Sequence, residues 1–225
     1  MKTRILLMVM LLSAAPMAAA QGEPDSVAAE SADAAEASEA TEAAPVLGPR
    51  VSLQVLVYDK TGRPSQLGGI VIEVYPDDAP EHVANFLKLA KDGFYEGTTF
   101  HRIVPAMLVQ GGDPRSRFDW ADHTLGRGGP DYTIPSETGR RHLRGAVGAS
   151  RLGDDVNPDR ASNGSQFYVC LADLPSLDAS GYTVFGKVVE GMDVVDAMSR
   201  IKNAGTRNRN RALQRVTMTK VTVIE

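Results

Sequence analysis

FHRIVPAMLVQGGD, residues 100–113, decides how this chain is read. Two short β runs, 98–104 and 107–110, flank Pro105-Ala106, and a glycine pair follows the second. The stretch holds one arginine among hydrophobes and one glutamine before the glycines, without a nucleophile or a metal-ligand cluster. An active site built on it has hydrogen bonds and apolar contacts to work with.

Upstream, residues 51–58 alternate Val51, Leu53, Val55 and Val57 against Ser52, Gln54, Leu56 and Tyr58, the period-two pattern of a strand. Gly68-Gly69 opens a second strand over 70–75, and DKTGRPSQ between them predicts a hairpin with a loop of several residues. Asp77, Asp78 and Pro80 then suit a helix start, and Val83, Phe86, Leu87 and Ala90 form one apolar face that stops at Gly93. A second helix is predicted over 192–201, with Val194, Val195, Met198 and Ile201 inward. Further β runs lie at 146–150, 166–171, 184–189 and 215–224. Many short strands with two helices predict a mainly β fold, a closed antiparallel barrel capped by two α-helices.

The first twenty residues run from Lys2 and Arg4 through an apolar stretch to Ala18-Ala19-Ala20, the order of a cleavable signal peptide. The expectation is an exported, periplasmic protein without membrane insertion after cleavage. Residues 21–47 carry seven acids, no basic residue and no aromatic, which predicts a disordered acidic tether. Of the formal charge of −4, the first segment holds two positive charges and the tether seven negative ones, so residues 48–225 carry about one positive charge. Those residues suit one domain, expected to be a monomer. Arg207, Arg209 and Arg211 make a small basic run, but it lacks interleaved aromatics, and nucleic acid is not an expected partner. Cys170, the single cysteine, sits in an apolar run as a buried strand thiol.

The common catalytic signatures are missing. The four histidines show neither H-x-x-H nor H-E-x-x-H spacing, so no metal is expected. Residues 148–153 lack the nucleophile-elbow spacing, and the glycines at 126–129 lack G-x-G-x-x-G. Rotation about a peptide bond preceding proline needs no nucleophile, metal or cofactor. Its barrier of about 18–20 kcal/mol is the loss of amide resonance. In the twisted transition state the proline nitrogen regains a lone pair. A guanidinium donating to that lone pair stabilises the transition state above either ground state.

FHRIVPAMLVQGGD, with NGSQFYVCLADLPSLD at 163–178 and YTVFGKVVEGMDVVD at 182–196, resembles the cyclophilin family of peptidyl-prolyl cis-trans isomerases. The likeness runs over about 51–225 and includes ANFLKLAKDGFYEGTTFHR at 84–102. It implies an eight-stranded antiparallel β-barrel closed by two helices, no cofactor, and proline-containing unfolded or flexible polypeptides as partners. It implies Arg102 as the catalytic arginine and Gln110 as the glutamine that orients it. Phe100, His101, Met107, Leu108, Gln166, Tyr168, Leu177 and Tyr182 are implied around the substrate, and Ser150 and Arg151 as the residues whose backbone pairs with it. Met107 and Tyr168 stand where the family has phenylalanines, Tyr182 where histidine is common, and Ser176 where cyclosporin-sensitive members have tryptophan. The segment 114–125, with Trp120, is longer than the usual family loop and either rims the groove or packs as a surface loop.

Overall fold

The structure, a computed structural model, describes residues 48–224; the expected signal peptide and tether lie outside the described residues. Strands β1 (Arg50–Tyr58) and β2 (Pro64–Val74) form the predicted hairpin. Its loop is tighter than the sequence indicated, because the Asp59 carboxylate accepts the backbone N–H groups of Thr61 and Arg63 at 2.8 and 3.0 Å. The others are β3 (Arg102–Val104), β4 (Leu108–Gly111), β5 (Ala146–Ala149), β6 (Phe167–Cys170), β7 (Val184–Glu190) and β8 (Val216–Ile224). They form one antiparallel sheet in the order β3-β4-β6-β5-β7-β2-β1-β8.

The expected closed barrel is corrected: no ladder joins β3 to β8. The two edges meet ahead of β3 instead, through a bridge between Thr99 and Thr217 and through the Phe100 and Met218 N–H groups, which donate to the Val216 and Thr98 carbonyls at 2.9 Å each. At Arg102 the partner is Arg211 rather than β8. The segment ahead of β8 meets β3 only through isolated contacts, the Ala212 N–H on the His101 carbonyl and the Ile103 N–H on the Asn210 carbonyl at 2.9 Å each, so the β8 ladder does not continue along β3.

The helix count is corrected as well, to three α-helices among the described residues. Helix α1 (Pro80–Lys91) and helix α3 (Met192–Ser199) match the two expected ones. Helix α2 (Pro175–Ala179) buries none of its residues, so it left no apolar stripe to read. On α1, Leu89 and His82 turn inward with Val83, Phe86 and Ala90, while Leu87 sits at the margin. His82 is satisfied there by Glu137 at 2.5 Å and the Ser162 hydroxyl at 2.8 Å.

Directly paired residues of neighbouring strands share a face, and both faces of the β3-β4-β6-β5 half are buried. The inner face carries Ile103, Val109, Val169 and Val147 into the main core with Leu53, Ile70 and Ile72. Phe86 enters this core from α1, with ring centroids 5.3, 5.6 and 5.1 Å from those of Tyr95, Phe167 and Phe185. The outer face carries a second cluster of Leu108, Ala146, Tyr168, Cys170, Leu174 and Val184. Truncating Phe86 to alanine removes the ring that joins α1 to the sheet and is expected to cost about 3–5 kcal/mol. A urea-denaturation loss below about 1 kcal/mol would show that the helix does not depend on that contact.

Candidate active site

One row of cross-strand neighbours on the outer face builds the site: Arg102 pairs with Gln110, Gln110 with Tyr168, and Tyr168 with Gly148. The first two side chains are linked, Arg102 Nη1 donating to Gln110 Oε1 at 3.0 Å. Gln110 Nε2 donates to Gln166 Oε1 at 2.8 Å, and Gln166 Nε2 to the Gly128 carbonyl at 2.6 Å. Both glutamines are buried. The relay has one direction and holds the guanidinium by a single N–H, leaving its other donors without a partner among the described residues. Burial first, and the neighbouring Arg209 second, push Arg102 below the ordinary arginine value; an arginine stays cationic regardless. Arg102 and Gln110 line a cleft of about 380 Å³ together with His101, Arg151, Leu125 and Tyr182.

Asp113 anchors the far end of the relay. Its carboxylate accepts the N–H groups of Gly126 and Gly128 at 2.8 and 2.9 Å and the Arg115 guanidinium at 3.1 Å, with Gln166 Nε2 at 3.4 Å. Burial raises its pKa, but these hydrogen bonds outweigh burial and hold it below the usual value. A side chain at position 128 would collide with Asp113 Oδ1, so the glycine is required for this approach. The loop at 114–125 is thereby folded back, and its end lines the cleft through Asp122, His123 and Leu125. Trp120 faces a different cavity, with Tyr58 and Arg215.

The apolar wall departs from expectation in a consistent way. Tyr168 lies on the expected face, but its ring is folded over Gly148, where a Cβ would meet it, and only 3% of it is exposed. Its hydroxyl donates to His142 Nε2 at 2.8 Å, and His142 Nδ1 donates to Asp178 Oδ1 at 2.6 Å. Tyrosine in place of phenylalanine brings a hydroxyl that needs a partner or water when buried; nothing in spacing pointed to His142. Leu108 is buried beside Tyr168, Leu177 and Tyr182 are half-buried against the same cluster, and Met107 stands exposed at the β3–β4 turn. Arg151 stacks on the Tyr182 ring at 4.3 Å and is tied to Asp154 and to the Ser180 carbonyl at 2.6 and 2.7 Å.

Two expected site residues are placed elsewhere. Phe100 is fully buried in the inner core, edge-on to Phe167 at 6.0 Å, because the chain leaves regular strand geometry before Arg102 and alternation breaks. Ser150 has its backbone N–H donated to the Gln166 carbonyl at 2.9 Å and its carbonyl taken by the Asn163 N–H at 3.0 Å, so it offers no free strand edge. His101 does line the cleft. It is 4% exposed, neither ring nitrogen has a partner, and burial lowers its pKa to about 4.

Residues 60–223 match the family model described as cyclophilin type peptidyl-prolyl cis-trans isomerase/CLD. A peptidyl-prolyl cis-trans isomerase of Helicobacter pylori is 38% identical over 138 residues, covering 59% of this chain and 76% of that protein. Peptidyl-prolyl cis-trans isomerase B of Bacillus subtilis is 42% identical over 133 residues, covering 58% and 82%. The crystal structure of a Cryptosporidium parvum cyclophilin matches with a TM-score of 0.60 at 22% identity, over 77% of this chain and 98% of that one. The same parasite protein was also crystallised in the presence of the dipeptide Ala-Pro. The chain belongs to the cyclophilin family, and its activity is that of a peptidyl-prolyl cis-trans isomerase.

Two measurements follow from this geometry. Tyr168→Phe leaves His142 Nε2 buried without a donor and is expected to cost about 1–3 kcal/mol in urea denaturation; unchanged stability would mean the phenol is dispensable. Burial lowers the pKa of His82, His101 and His142, while hydrogen bonds outweigh burial to lower those of Asp113, Glu137 and Asp178. A histidine kept neutral in the fold loses stability as pH falls below its unfolded value of about 6.5, and lowered carboxylates lose theirs below about 4. Urea midpoints should therefore fall already between about pH 7 and 5, before carboxylates titrate; a flat profile over that range would contradict the neutral histidines.

Proposed function

We propose that Arg102 is the catalytic donor of this isomerase, acting on Xaa-Pro bonds of exported polypeptides in the periplasm. The observation that carries the reading is the relay from Arg102 through Gln110 and Gln166 to Gly128, which fixes a half-buried guanidinium beside an apolar cluster. A proline ring seated on Leu108, Leu177 and Tyr182 brings its nitrogen towards Arg102. As the amide twists, that nitrogen becomes a better acceptor, so the hydrogen bond strengthens in the transition state. Because the donor is already oriented by Gln110, little reorganisation is needed during rotation. Gln110 is thus a positioning residue for Arg102, and Gln166 acts one step behind it. Spontaneous isomerisation takes tens to hundreds of seconds, slow enough to limit the folding of exported chains. The charged, apolar and small segments of residues 1–20 support export.

A second reading, a module that binds proline segments without useful turnover, is favoured by one observation: Tyr168 is covered and Met107 is 39% exposed, which makes the apolar seat shallow. Exchange NMR on an Ala-Xaa-Pro-Phe peptide separates the two. The purified protein should accelerate isomerisation, and Arg102→Ala should lower kcat/KM by about 10²–10³-fold. Peptide shift changes with no acceleration would instead establish the binding module.

A further inference from the structure

The lining of the cleft is cationic beyond what isomerisation requires. Arg209 and Arg211 line it next to Arg102, and Arg207 is exposed on the 3-10 turn just ahead of them. None of these three side chains makes a hydrogen bond or ion pair among the described residues, although the domain offers partners to many of its other arginines. The only carboxylate of the lining, Asp122, is engaged by its own loop, accepting the Thr124 N–H and hydroxyl at 2.7 Å each. Arg209 and Asn210 both adopt left-handed backbone, with φ of 57° and 54°, a conformation costly for non-glycine residues. This holds the turn against β3, where Asn210 accepts the Ile103 N–H at 2.9 Å. Charge repulsion between Arg209 and Arg102 is thus built into the cleft. The same cleft contains His101, a buried imidazole with two unpartnered nitrogens.

Like charges that outnumber the lining's one carboxylate and pair with none favour an anionic occupant. We infer that Arg209 and Arg211 form a subsite for acidic side chains flanking the proline, so that segments carrying Glu or Asp beside proline are preferred substrates. The inference rests on the reading of the Arg102 cleft as the isomerase site. A nucleic acid fits less well, since Tyr182 is the one Phe, Tyr or Trp side chain in the lining and Arg151 already covers it.

The test compares kcat/KM by exchange NMR for Ala-Glu-Pro-Glu-Ala and Ala-Gln-Pro-Gln-Ala with the purified protein. Placing an acid on both sides makes the outcome independent of the direction in which the peptide lies. The acidic peptide should be favoured about fivefold at about 20 mM salt, and the ratio should fall towards one at about 0.5 M salt. R209Q/R211Q should abolish the ratio at low salt, and R209K/R211K should retain it. Catalysis of the neutral peptide with a low-salt ratio near one would overturn the acidic subsite and leave the isomerase site intact. A fivefold ratio that survives R209Q/R211Q would overturn its assignment to these arginines. Failure to catalyse either peptide would overturn the reading of the cleft, and this inference with it.

Discussion

Asp113 is a carboxylate with no exposed surface, and the arrangement of the cleft depends on its being ionised and fully bonded. A buried charge survives only where hydrogen bonds replace its hydration. Here they come from Arg115 and from the backbone of Gly126 and Gly128, which requires the intervening loop to close on itself. That closure presents the Gly128 carbonyl to Gln166, which fixes Gln110, which fixes Arg102. The guanidinium is therefore oriented by a charge two amides away that need never touch a substrate.

The second organising fact is that the β3-β4-β6-β5 half of the sheet is buried on both sides. The inner side is ordinary core, filled by aliphatic residues and closed by Phe86. The outer side mixes apolar residues with Arg102, Gln110 and Tyr168, so polar groups there have to be paired internally or left for a ligand. Tyr168 is paired through His142 to Asp178, and Gln110 through Gln166. Arg102 and His101 keep unspent donors, which separates the residues that hold the cleft from those that face it.

Much of this was legible in the sequence. Period-two alternation located β1, and the apolar β runs at 70–75 and 215–224 located β2 and β8, because each strand is long and has an inner face. Apolar spacing located α1 and α3 for the same reason, yet it passed over Leu89, which is buried deeper than the half-buried Leu87 it named. Helix α2 and the turn at 206–208 bury nothing and left no pattern. Closure of the barrel was overestimated because strand count says nothing about where a loop turns away from a ladder. In the cleft, Arg102, Gln110 and Gln166 could be placed from their motifs, and the structure brings them into one relay. The partnership of Tyr168 with His142 spans 26 residues and arises from tertiary packing, which no local pattern encodes. Phe100 was placed at the substrate by the resemblance alone, and its burial in the inner core follows from the segment before Arg102 leaving regular strand geometry, which no motif records.

Cys170 is paired with Leu108 within the outer cluster; it is the single cysteine of the chain, fully buried, with its thiol pushed up to about 12 by burial. A thiol so placed is protonated at neutral pH and out of reach of oxidants and alkylating reagents. Its modification must wait for the outer-face side chains packed around it, Leu108, Leu174 and Val184 among them, to move aside. The molecule thus carries an internal clock for the opening of its functional face: the rate at which a small thiol reagent labels the native protein counts those excursions directly.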